Sequence, residues 1–380
     1  MNKSLIVGSV IESTFTELDE ATLMKIEPLV SIVINNYNYD RFLAETIDSA
    51  LAQTYSNIEV IVVDDGSTDN SRSIIASYGS QIIPVLKSNG GQSSSLNEGF
   101  RASRGEIISF LDSDDLFHPE KIEKIVSFFV QNNLIDSPTI FHNLFEAIDE
   151  KGLPTADFSL NSYCSDWSDL ARIRGDRHYT VGDPYFFDGE VSKVCTPEQV
   201  CKFATRYRIV PFIGMPSSSV CISRILANRL FPLPVNENYK TNADNFMVRA
   251  ASLLGSVYST NLPLTQYRLH GSNAWLGKEV TSKQEEETFL VPQEFLNLKL
   301  KESGRKPVIS FLESMPANAF YRCYFGYNSA DDLIKLAFKV VLFRLDFETF
   351  MFFIKTLTRG IYYKFILLFH SVTLKYQQKS

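Results

Sequence analysis

Short apolar runs alternate with longer segments of one-sided hydrophobicity between residues 28 and 131. The apolar runs are VSIVI (30–34), IEVIVV (58–63), IIPVL (82–86) and EIISFL (106–111). Runs of this length that are rich in β-branched residues predict strands buried on both faces. Since segments with helical periodicity connect them, the pattern predicts an α/β architecture, in which helices cover both sides of a parallel sheet.

The connecting segments also carry signals for the start and end of helices. A serine, threonine or aspartate within 67–69 is expected to begin the second helix, and Gly79 to end it. A serine is expected to cap the third helix, which has Leu96 and Phe100 on its apolar face. Pro119 is expected in the first turn of the fourth helix.

Polar or flexible residues follow each of the four predicted strands. They are Asn35–Asn38, Asp64–Ser67, Asn89–Gln92 and Asp112–Asp115. Ligands of an open parallel sheet bind in the crevice at the carboxyl ends of its strands. The agreement among four strands therefore predicts a ligand-binding crevice at this edge.

The pattern changes beyond residue 131. Residues 132–275 are less regular and rich in loops, which predicts a second lobe that covers the crevice. A polar, glutamate-rich connection follows at 276–300, and helical periodicity begins at about 305. The predicted organisation is an N-terminal extension (1–27), a ligand-binding half (28–131), a second half (132–275) and a linker with a helical tail (276–380).

Composition narrows the class of protein. Of the 380 residues, 44% are hydrophobic and 13% aromatic, which allows a sizeable core and argues against global disorder. The net charge of -7 argues against nucleic acid as a partner. Five cysteines, an odd number without metal-binding spacing, favour a reducing compartment, and we expect a cytoplasmic protein. The N-terminus is a poor signal peptide, and no apolar run is long enough to predict a membrane span.

Residues 333–380 differ from the rest of the chain in charge. They carry six Lys and two Arg against Asp346 and Glu348, and they are rich in Phe and Tyr. Cationic and aromatic residues together are typical of a helix that lies on an anionic lipid surface, here the inner face of the cell membrane. A helical pair that packs on the core or on a partner subunit is the alternative.

The stretch FLDSDDLFHP (110–119) places Asp112, Asp114 and Asp115 within four positions. Carboxylates this close repel one another unless a cation lies among them. Mg²⁺ or Mn²⁺ binds one or two carboxylates together with water and substrate phosphates. Asp114, with Asp112 nearby, is therefore predicted to hold such an ion on a diphosphate and to stabilise it as a leaving group.

A calcium loop, a phosphatase motif and a helix N-terminus also place acidic residues close together. A calcium-binding EF-hand that starts at Asp112 would need an oxygen ligand at 116 and a glycine at 117, but the sequence has Leu116 and Phe117. A phosphatase of the haloacid type would need Thr or Val at 116 and normally uses its first strand. Acidic residues that favour the N-terminus of the following helix remain an alternative.

Four segments, in this order and spacing, resemble family 2 glycosyltransferases of the bacterial, inverting type. They are VSIVINNYN, QTYSNIEVIVVDDGSTDNS, SNGGQSSSLNEG and SFLDSDDLFHP. The resemblance is close over 28–131 and looser to about 273. It implies the GT-A fold, a Rossmann-like nucleotide-binding sheet with a mixed acceptor lobe, to which this chain adds a C-terminal helical tail. Residues 28–131 would form the nucleotide-sugar-binding half, and 132–275 the acceptor-side half.

The resemblance assigns roles to residues at the strand ends. Asn35 and Tyr37 would line the pocket of the nucleotide base, and Asp65 would accept a hydrogen bond from the base. Gly91 and Asn97 would lie along the ribose, the phosphates or the sugar, where glycine allows close backbone approach. The alternatives are an Asx-type turn for Asp65 and a buried helix position for Asn97.

Further roles follow from the resemblance. Asp112 and Ser113 would contact the nucleotide sugar or the water shell of the metal, and Asp114 would ligate Mg²⁺ or Mn²⁺. In TQYRLHGSN, Arg268 would brace the nucleotide-sugar site and His270 would approach the metal as a ligand. A structural hydrogen bond is the alternative role for His270.

Asp244 stands where the family has its catalytic carboxylate, within YKTNADNFMVRAASLLG. Transfer with inversion needs a base that takes the proton of the acceptor hydroxyl. The family often has an acidic pair here, and Ala243 replaces its first member. Asp244 also suits the N-cap of the following helix, and both roles can hold together. The serines at 217–219 are candidates for the acceptor side.

We therefore predict an inverting, metal-dependent glycosyltransferase that moves a sugar, a hexose or a related one, from a UDP-sugar to an acceptor hydroxyl. A saccharide or lipid-linked acceptor in surface polysaccharide or glycolipid synthesis is expected. A nucleotidyltransferase is one alternative, but NNYNYDRF after the first strand lacks the expected Gly- and Lys/Arg-rich loop. A non-catalytic nucleotide-sugar-binding scaffold at a membrane is the other.

Overall fold

The structure is a computed structural model. It describes residues 27–155, 191–207, 210, 212–214, 216–235, 243–273, 294–306 and the single positions 354, 358 and 361. The predicted N-terminal extension (1–27), except Glu27, and nearly all of the basic, aromatic segment 333–380 lie outside these residues. The predictions made for those two segments therefore stay predictions. None of the described helices is both long and apolar enough to span a bilayer.

The strands within the described residues form one mixed sheet in the order β3-β2-β1-β4-β8-β6-β9-β5, and β7 pairs with β9. Their bounds are β1 Val30–Asn36, β2 Ile58–Asp64, β3 Ile83–Leu86, β4 Ile107–Asp112, β5 Leu116–Phe117, β6 Thr139–Ile148, β7 Val191–Cys195, β8 Val220–Ser223 and β9 Ser256–Arg268.

Strands β1 to β4 form the parallel half that the sequence predicts. β1 lies between β2 and β4 and is parallel to both, and β3 continues the sheet beyond β2. The register pairs Asn36 with Asp64 and Asn35 with Asp112. The polar strand ends therefore lie side by side at one edge, as expected.

The second half is mixed. β8 runs antiparallel to β4 and β6, whereas β9 runs parallel to β6. The two-residue strand β5, which the sequence does not predict, pairs Leu116 with Gln266 and Phe117 with Thr265. This pairing ties the chain directly after Asp112–Asp115 to the end of β9, where Arg268 lies.

Helices cover the sheet. Their bounds are α1 Asp40–Leu51, α2 Ser71–Ser77, α3 Gln92–Ala102, α4 Lys121–Gln131, α5 Pro197–Tyr207, α6 Arg224–Leu230, α7 Ala243–Leu254 and α8 at 294–302. Alternate residues of β1 enter two separate clusters of buried side chains, since Val33 packs in one and Ile32 and Ile34 in the other. Both faces of the sheet are thus covered, as predicted.

Three predicted helix starts are wrong. α2 begins at Ser71, because the side chains of Ser67 and Asp69 bind the backbone N–H groups of Asn38 and Asp40. The end of α2 is as predicted, with Gly79 at φ 55° two residues beyond its last residue.

The third helix, α3, begins at Gln92, directly after Gly91, and no serine caps it. Gly91 has φ 87°, a conformation that favours glycine over serine. The fourth helix, α4, begins at Lys121, so Pro119 precedes its first turn.

Candidate active site

A cavity of about 270 Å³ opens at the carboxyl ends of β1, β2 and β4. We call it the crevice. Eight of the predicted site residues line it: Asn35, Tyr37, Asp65, Gly91, Asp112, Ser113, Asp114 and Asp244. Asn97, Arg268 and His270 are not among its lining residues. The structure thus brings the strand ends of the parallel half together with the first turn of α7.

Asp65 anchors the segment Asn89–Gly91, which we call the glycine loop. Its carboxylate accepts hydrogen bonds from the backbone N–H of Gly90 (2.9 Å) and Gly91 (2.7 Å), from the Asn89 amide (3.1 Å) and from the Lys87 ammonium group. Asp65 as a whole is 3% exposed. Its neighbour Asp64 accepts from the N–H of Ser67, three residues further on, at 3.2 Å.

Asp112 lies between the two halves of the chain. Its Oδ1 accepts a hydrogen bond from Nε2 of Gln92 at 3.3 Å, and its Oδ2 accepts one from the hydroxyl of Ser217. Burial, followed by repulsion from Asp114, raises the pKa of the Asp112 carboxyl. Ser217 belongs to the turn Ser217–Ser219, which we call the serine turn.

Asp115 faces away from the crevice. Its Oδ1 accepts from the backbone N–H of Arg268 (2.9 Å) and its Oδ2 from the hydroxyl of Ser218 (2.6 Å). Burial and repulsion from Asp114 and Asp112 raise its pKa well above the ordinary value. Asp115 therefore links the segment Asp112–Asp115, the acid loop, to β9 and to the serine turn.

His270 contacts Asp114. Its Nε2 lies 2.9 Å from Oδ2 of Asp114, and its Nδ1 accepts from the backbone N–H of Ser272 at 3.1 Å. A backbone N–H can only donate, so the ring proton lies on Nε2 and points to Asp114. The guanidinium of Arg41 lies 3.1 Å from the same Nδ1. His270 thus supports Asp114 through a hydrogen bond, and direct metal ligation by His270 stays a prediction.

Arg268 braces the acid loop from behind the crevice. Its guanidinium donates to the backbone oxygens of Asp114 (2.8 Å) and Glu150 (3.1 Å) and to the carboxylate of Glu45 (2.7 Å). It also lies 4.7 Å from the ring centre of Phe42. Since the side chain is fully buried, these contacts fix it in place.

Asn97 is buried within α3. A buried helix position is the alternative that the sequence offers to a ligand contact. Its Nδ2 donates to the carbonyl of Leu233 (2.9 Å) and its Oδ1 accepts from the N–H of the same residue (2.7 Å). The amide is therefore used in joining α3 to the chain after α6. A sugar contact by Asn97 stays a prediction.

Asp244 lies in the first turn of α7, because the helix begins at Ala243. It is thus not at the N-cap, although its Oδ1 accepts from the N–H of Asn245 at 2.8 Å. Burial, and then the nearby Asp112, raise the pKa of Asp244 to about 6. A carboxylate with a pKa just below neutral suits a general base, since it is ionised at neutral pH and still basic.

The carboxylates of the crevice fit a divalent cation. Among the described residues, no group of three or more His, Cys, Asp or Glu side chains is arranged to hold a metal. Mg²⁺ and Mn²⁺ need only one or two carboxylates when phosphates and water complete the shell, and Asp112 and Asp114 offer them at the crevice. Burial first, and then repulsion from Asp114, raises the pKa of Asp112, and a cation between the two carboxylates would relieve the repulsion.

Sequence reasoning missed several residues that line the crevice, among them Gln92 and Tyr39. Gln92 had no assigned role, yet it bonds to Asp112 and accepts from the N–H of Ala243 at 2.9 Å. Tyr39 lines the crevice and donates to the carbonyl of Ser272 at 3.1 Å. Tyr39 directly precedes α1 and Gln92 begins α3, and each of these helices follows a polar strand end. This position in the sequence is the signal that could have identified both residues.

Comparison with known proteins gives one family. Residues 31–154 match the family described as glycosyl transferase family 2. An uncharacterized glycosyltransferase of Nostoc sp. is 30% identical over 262 residues, which are 67% of this chain and 70% of the relative. An uncharacterized glycosyltransferase of Rickettsia typhi is 48% identical over 124 residues, but this covers 33% of the chain and 38% of the relative.

A solved structure shares the architecture. The crystal structure of a fragment of TarS from S. aureus in complex with UDP-GlcNAc has a TM-score of 0.50 to this chain at 15% identity. The match covers 88% of this chain and 81% of that chain. At this identity the likeness concerns the fold alone, and it confirms the expected α/β GT-A architecture.

Proposed function

The chain belongs to glycosyl transferase family 2, and we propose that it is an inverting, metal-dependent enzyme that moves a sugar from a UDP-sugar to an acceptor hydroxyl. The observation that supports this most is that carboxylates from two separate parts of the chain line one crevice. Asp112 and Asp114 lie at the end of the parallel sheet, and Asp244 faces them from α7. A donor diphosphate and an attacking hydroxyl need these two groups at separate positions.

The base of the donor would lie at the ends of β1 and β2. Asn35, Tyr37 and Asp65 line this part of the crevice, together with Gly91. The carboxylate of Asp65 already accepts four hydrogen bonds, so a base N–H would compete with Asn89 or Lys87 for it. We accordingly assign Asp65 two tasks, to shape the glycine loop and to accept from the base.

Asp114, with Asp112 and Ser113 beside it, would hold Mg²⁺ or Mn²⁺ and the diphosphate. When bound, the ion supplies positive charge that stabilises the departing diphosphate. His270 and Arg268 keep Asp114 in position through its carboxylate and its backbone oxygen. These contacts orient the carboxylate before any ligand arrives.

Asp244 would accept the proton of the acceptor hydroxyl. The hydroxyl oxygen forms a bond to the anomeric carbon while the bond from that carbon to the diphosphate oxygen breaks, and the electron pair leaves with the diphosphate. Attack from the side opposite the leaving group inverts the anomeric configuration in a single displacement. The pKa of about 6 leaves Asp244 ionised at neutral pH, as this step requires.

The acceptor is proposed to be a saccharide or a lipid-linked saccharide of a surface polysaccharide or glycolipid. The charge and aromatic content of 333–380 support this, since they suit peripheral contact with an anionic membrane face. Residues 28–131 would then supply the donor side and 132–275 the acceptor side.

Thermal unfolding with added nucleotides tests the donor assignment. UDP-, GDP-, dTDP- and CMP-sugars are compared with and without Mn²⁺ or Mg²⁺, because a ligand that binds the folded state raises the melting temperature. UDP-sugars come first, because the TarS fragment of the same fold was solved with UDP-GlcNAc.

We expect a shift with a UDP-sugar that needs the metal, disappears in Asp114→Ala and persists in the control Asp136→Ala, whose side chain is exposed. No shift with any nucleotide would overturn the assignment. Binding without turnover would instead favour the non-catalytic scaffold.

A further inference from the structure

Lys121 is fully buried directly beneath the crevice. Its Nζ donates to the carbonyl oxygen of Ser218 and, at 3.0 Å, to the hydroxyl of Thr265, and it lies 3.7 Å from the ring centre of Phe117. No carboxylate within the described residues forms an ion pair with it. Burial lowers the pKa of Lys121 to about 7, whereas the nearby Asp115 raises it. Burying an ammonium group is costly, so the fold alone would be better served by an apolar side chain.

The residue that Lys121 holds is in direct contact with the acid loop. The hydroxyl of Ser218 donates to Asp115 at 2.6 Å and accepts from the backbone N–H of Asp112 at 3.0 Å. The neighbouring Ser217 donates to the Asp112 carboxylate. The serine turn thus accepts a hydrogen bond from Lys121 through the Ser218 carbonyl oxygen, and it binds the acid loop through its hydroxyl groups.

Thr265 strengthens the same connection. Its hydroxyl donates to the Ser218 carbonyl at 3.0 Å while it accepts from Lys121. The Ser218 carbonyl therefore accepts hydrogen bonds from two buried donors, the Lys121 amine and the Thr265 hydroxyl. The position of Ser218 is fixed from below by residues that do not line the crevice.

We propose that Lys121 is a positioning residue of the transfer reaction, which holds the serine turn so that Asp112 is correctly presented to the nucleotide sugar. This inference rests on the proposed function. Lys121 acts through Ser218 and does not touch the donor.

The variant Lys121→Met removes the charge and the donors but keeps a similar length. Lys124→Met is the matched control, because Lys124 is exposed on the same helix. The Kd of UDP with Mn²⁺ is measured by calorimetric titration, and the KM of the donor and kcat by UDP release. We expect Kd and donor KM to rise about tenfold in Lys121→Met, as for other residues that orient a ligand-binding carboxylate, and to stay unchanged in the control.

A purely structural role gives a different result. If Lys121 only stabilised the fold, Lys121→Met would reduce the fraction of protein that binds UDP, which is measured as a lower stoichiometry. The Kd of the folded fraction would stay the same, and this result would overturn the inference. If Lys121→Met does not fold, Thr265→Val replaces it, with the same expectation of a raised Kd; an unchanged Kd in Thr265→Val would equally overturn it.

The route through Ser218 is tested by a double-mutant cycle. In a Ser218→Ala background, Lys121→Met should raise the Kd little further, because both changes release the same turn. Fully additive effects would contradict the route. Wild-type protein that does not bind UDP with Mn²⁺ would refute the proposed function, whereas equal Kd values of wild type and Lys121→Met would refute only the role of Lys121.

Discussion

The side-chain oxygen of Gln92 accepts a hydrogen bond from the backbone N–H of Ala243, with 2.9 Å between the two atoms. The N–H groups in the first turn of a helix have no partner within that helix, and Gln92 supplies one to α7 from the start of α3. Its amide nitrogen lies 3.3 Å from Asp112. One side chain therefore connects the helix that carries Asp244 with the carboxylate on the donor side.

Replacement of Gln92 tests this connection. Gln92→Met keeps the length of the side chain but loses both hydrogen bonds, so Asp244 is held less accurately. We expect kcat to fall about 10- to 100-fold, because small displacements of a catalytic group are costly, and the free energy of unfolding to fall by only about 1 kcal/mol. Steady-state kinetics and thermal unfolding measure the two effects. Gln131→Met, at an exposed end of α4, is the control, and an unchanged kcat in Gln92→Met would refute the coupling.

The pH dependence of turnover should follow the ionisation of the Asp244 carboxyl. The base acts in its ionised form, so kcat/KM is constant above the pKa of about 6 and falls as pH drops below it. Asp112 contributes to the raised pKa, and Asp112→Asn should therefore move this acid limb to lower pH. A pH–rate profile of both proteins gives the measurement. An acid limb at the same pH in both would contradict the electrostatic link between the two carboxylates.

The burial of Asp112 beside Asp114 should lower the free energy of unfolding at neutral and alkaline pH. The pKa of Asp112 is raised in the folded state, so its ionised form destabilises the fold at pH values above that pKa. Asp112→Asn is thus expected to raise the melting temperature at about pH 8 without metal. This gain is lost below pH 3.8, the ordinary pKa of the carboxyl group, because Asp112 is then protonated in both the folded and the unfolded state. The exposed Asp136→Asn is the control. A lower melting temperature of Asp112→Asn at about pH 8 would contradict the account.

The parallel half of the fold could be predicted from the sequence because its strands are buried on both faces and bear an unbroken apolar signal. The two-residue strand β5 has no such signal, since its existence depends on pairing with Thr265 and Gln266 far along the chain. The predicted start of α2 is wrong because Ser67 and Asp69 bind backbone N–H groups at and just before the start of α1, and Asp69 reaches α2 only through the N–H of its first residue, Ser71.

The site was only partly predictable for a related reason. Asp112, Asp114 and Asp115 look alike in the sequence, but their partners separate them. Asp112 bonds to Ser217, Asp114 to His270 and Asp115 to the backbone of Arg268, all more than 100 positions away. No local pattern encodes these contacts.

The most direct test of the central claim compares wild type with Asp244→Asn, with UDP release from a UDP-sugar and UDP binding measured on the same preparations. Loss of a general base typically lowers turnover by about 10²–10⁴-fold. We expect a loss of this size in Asp244→Asn, with the Kd of UDP and Mn²⁺ unchanged. Turnover that survives in Asp244→Asn would contradict the assignment of Asp244 as the base, and the account of the reaction with it.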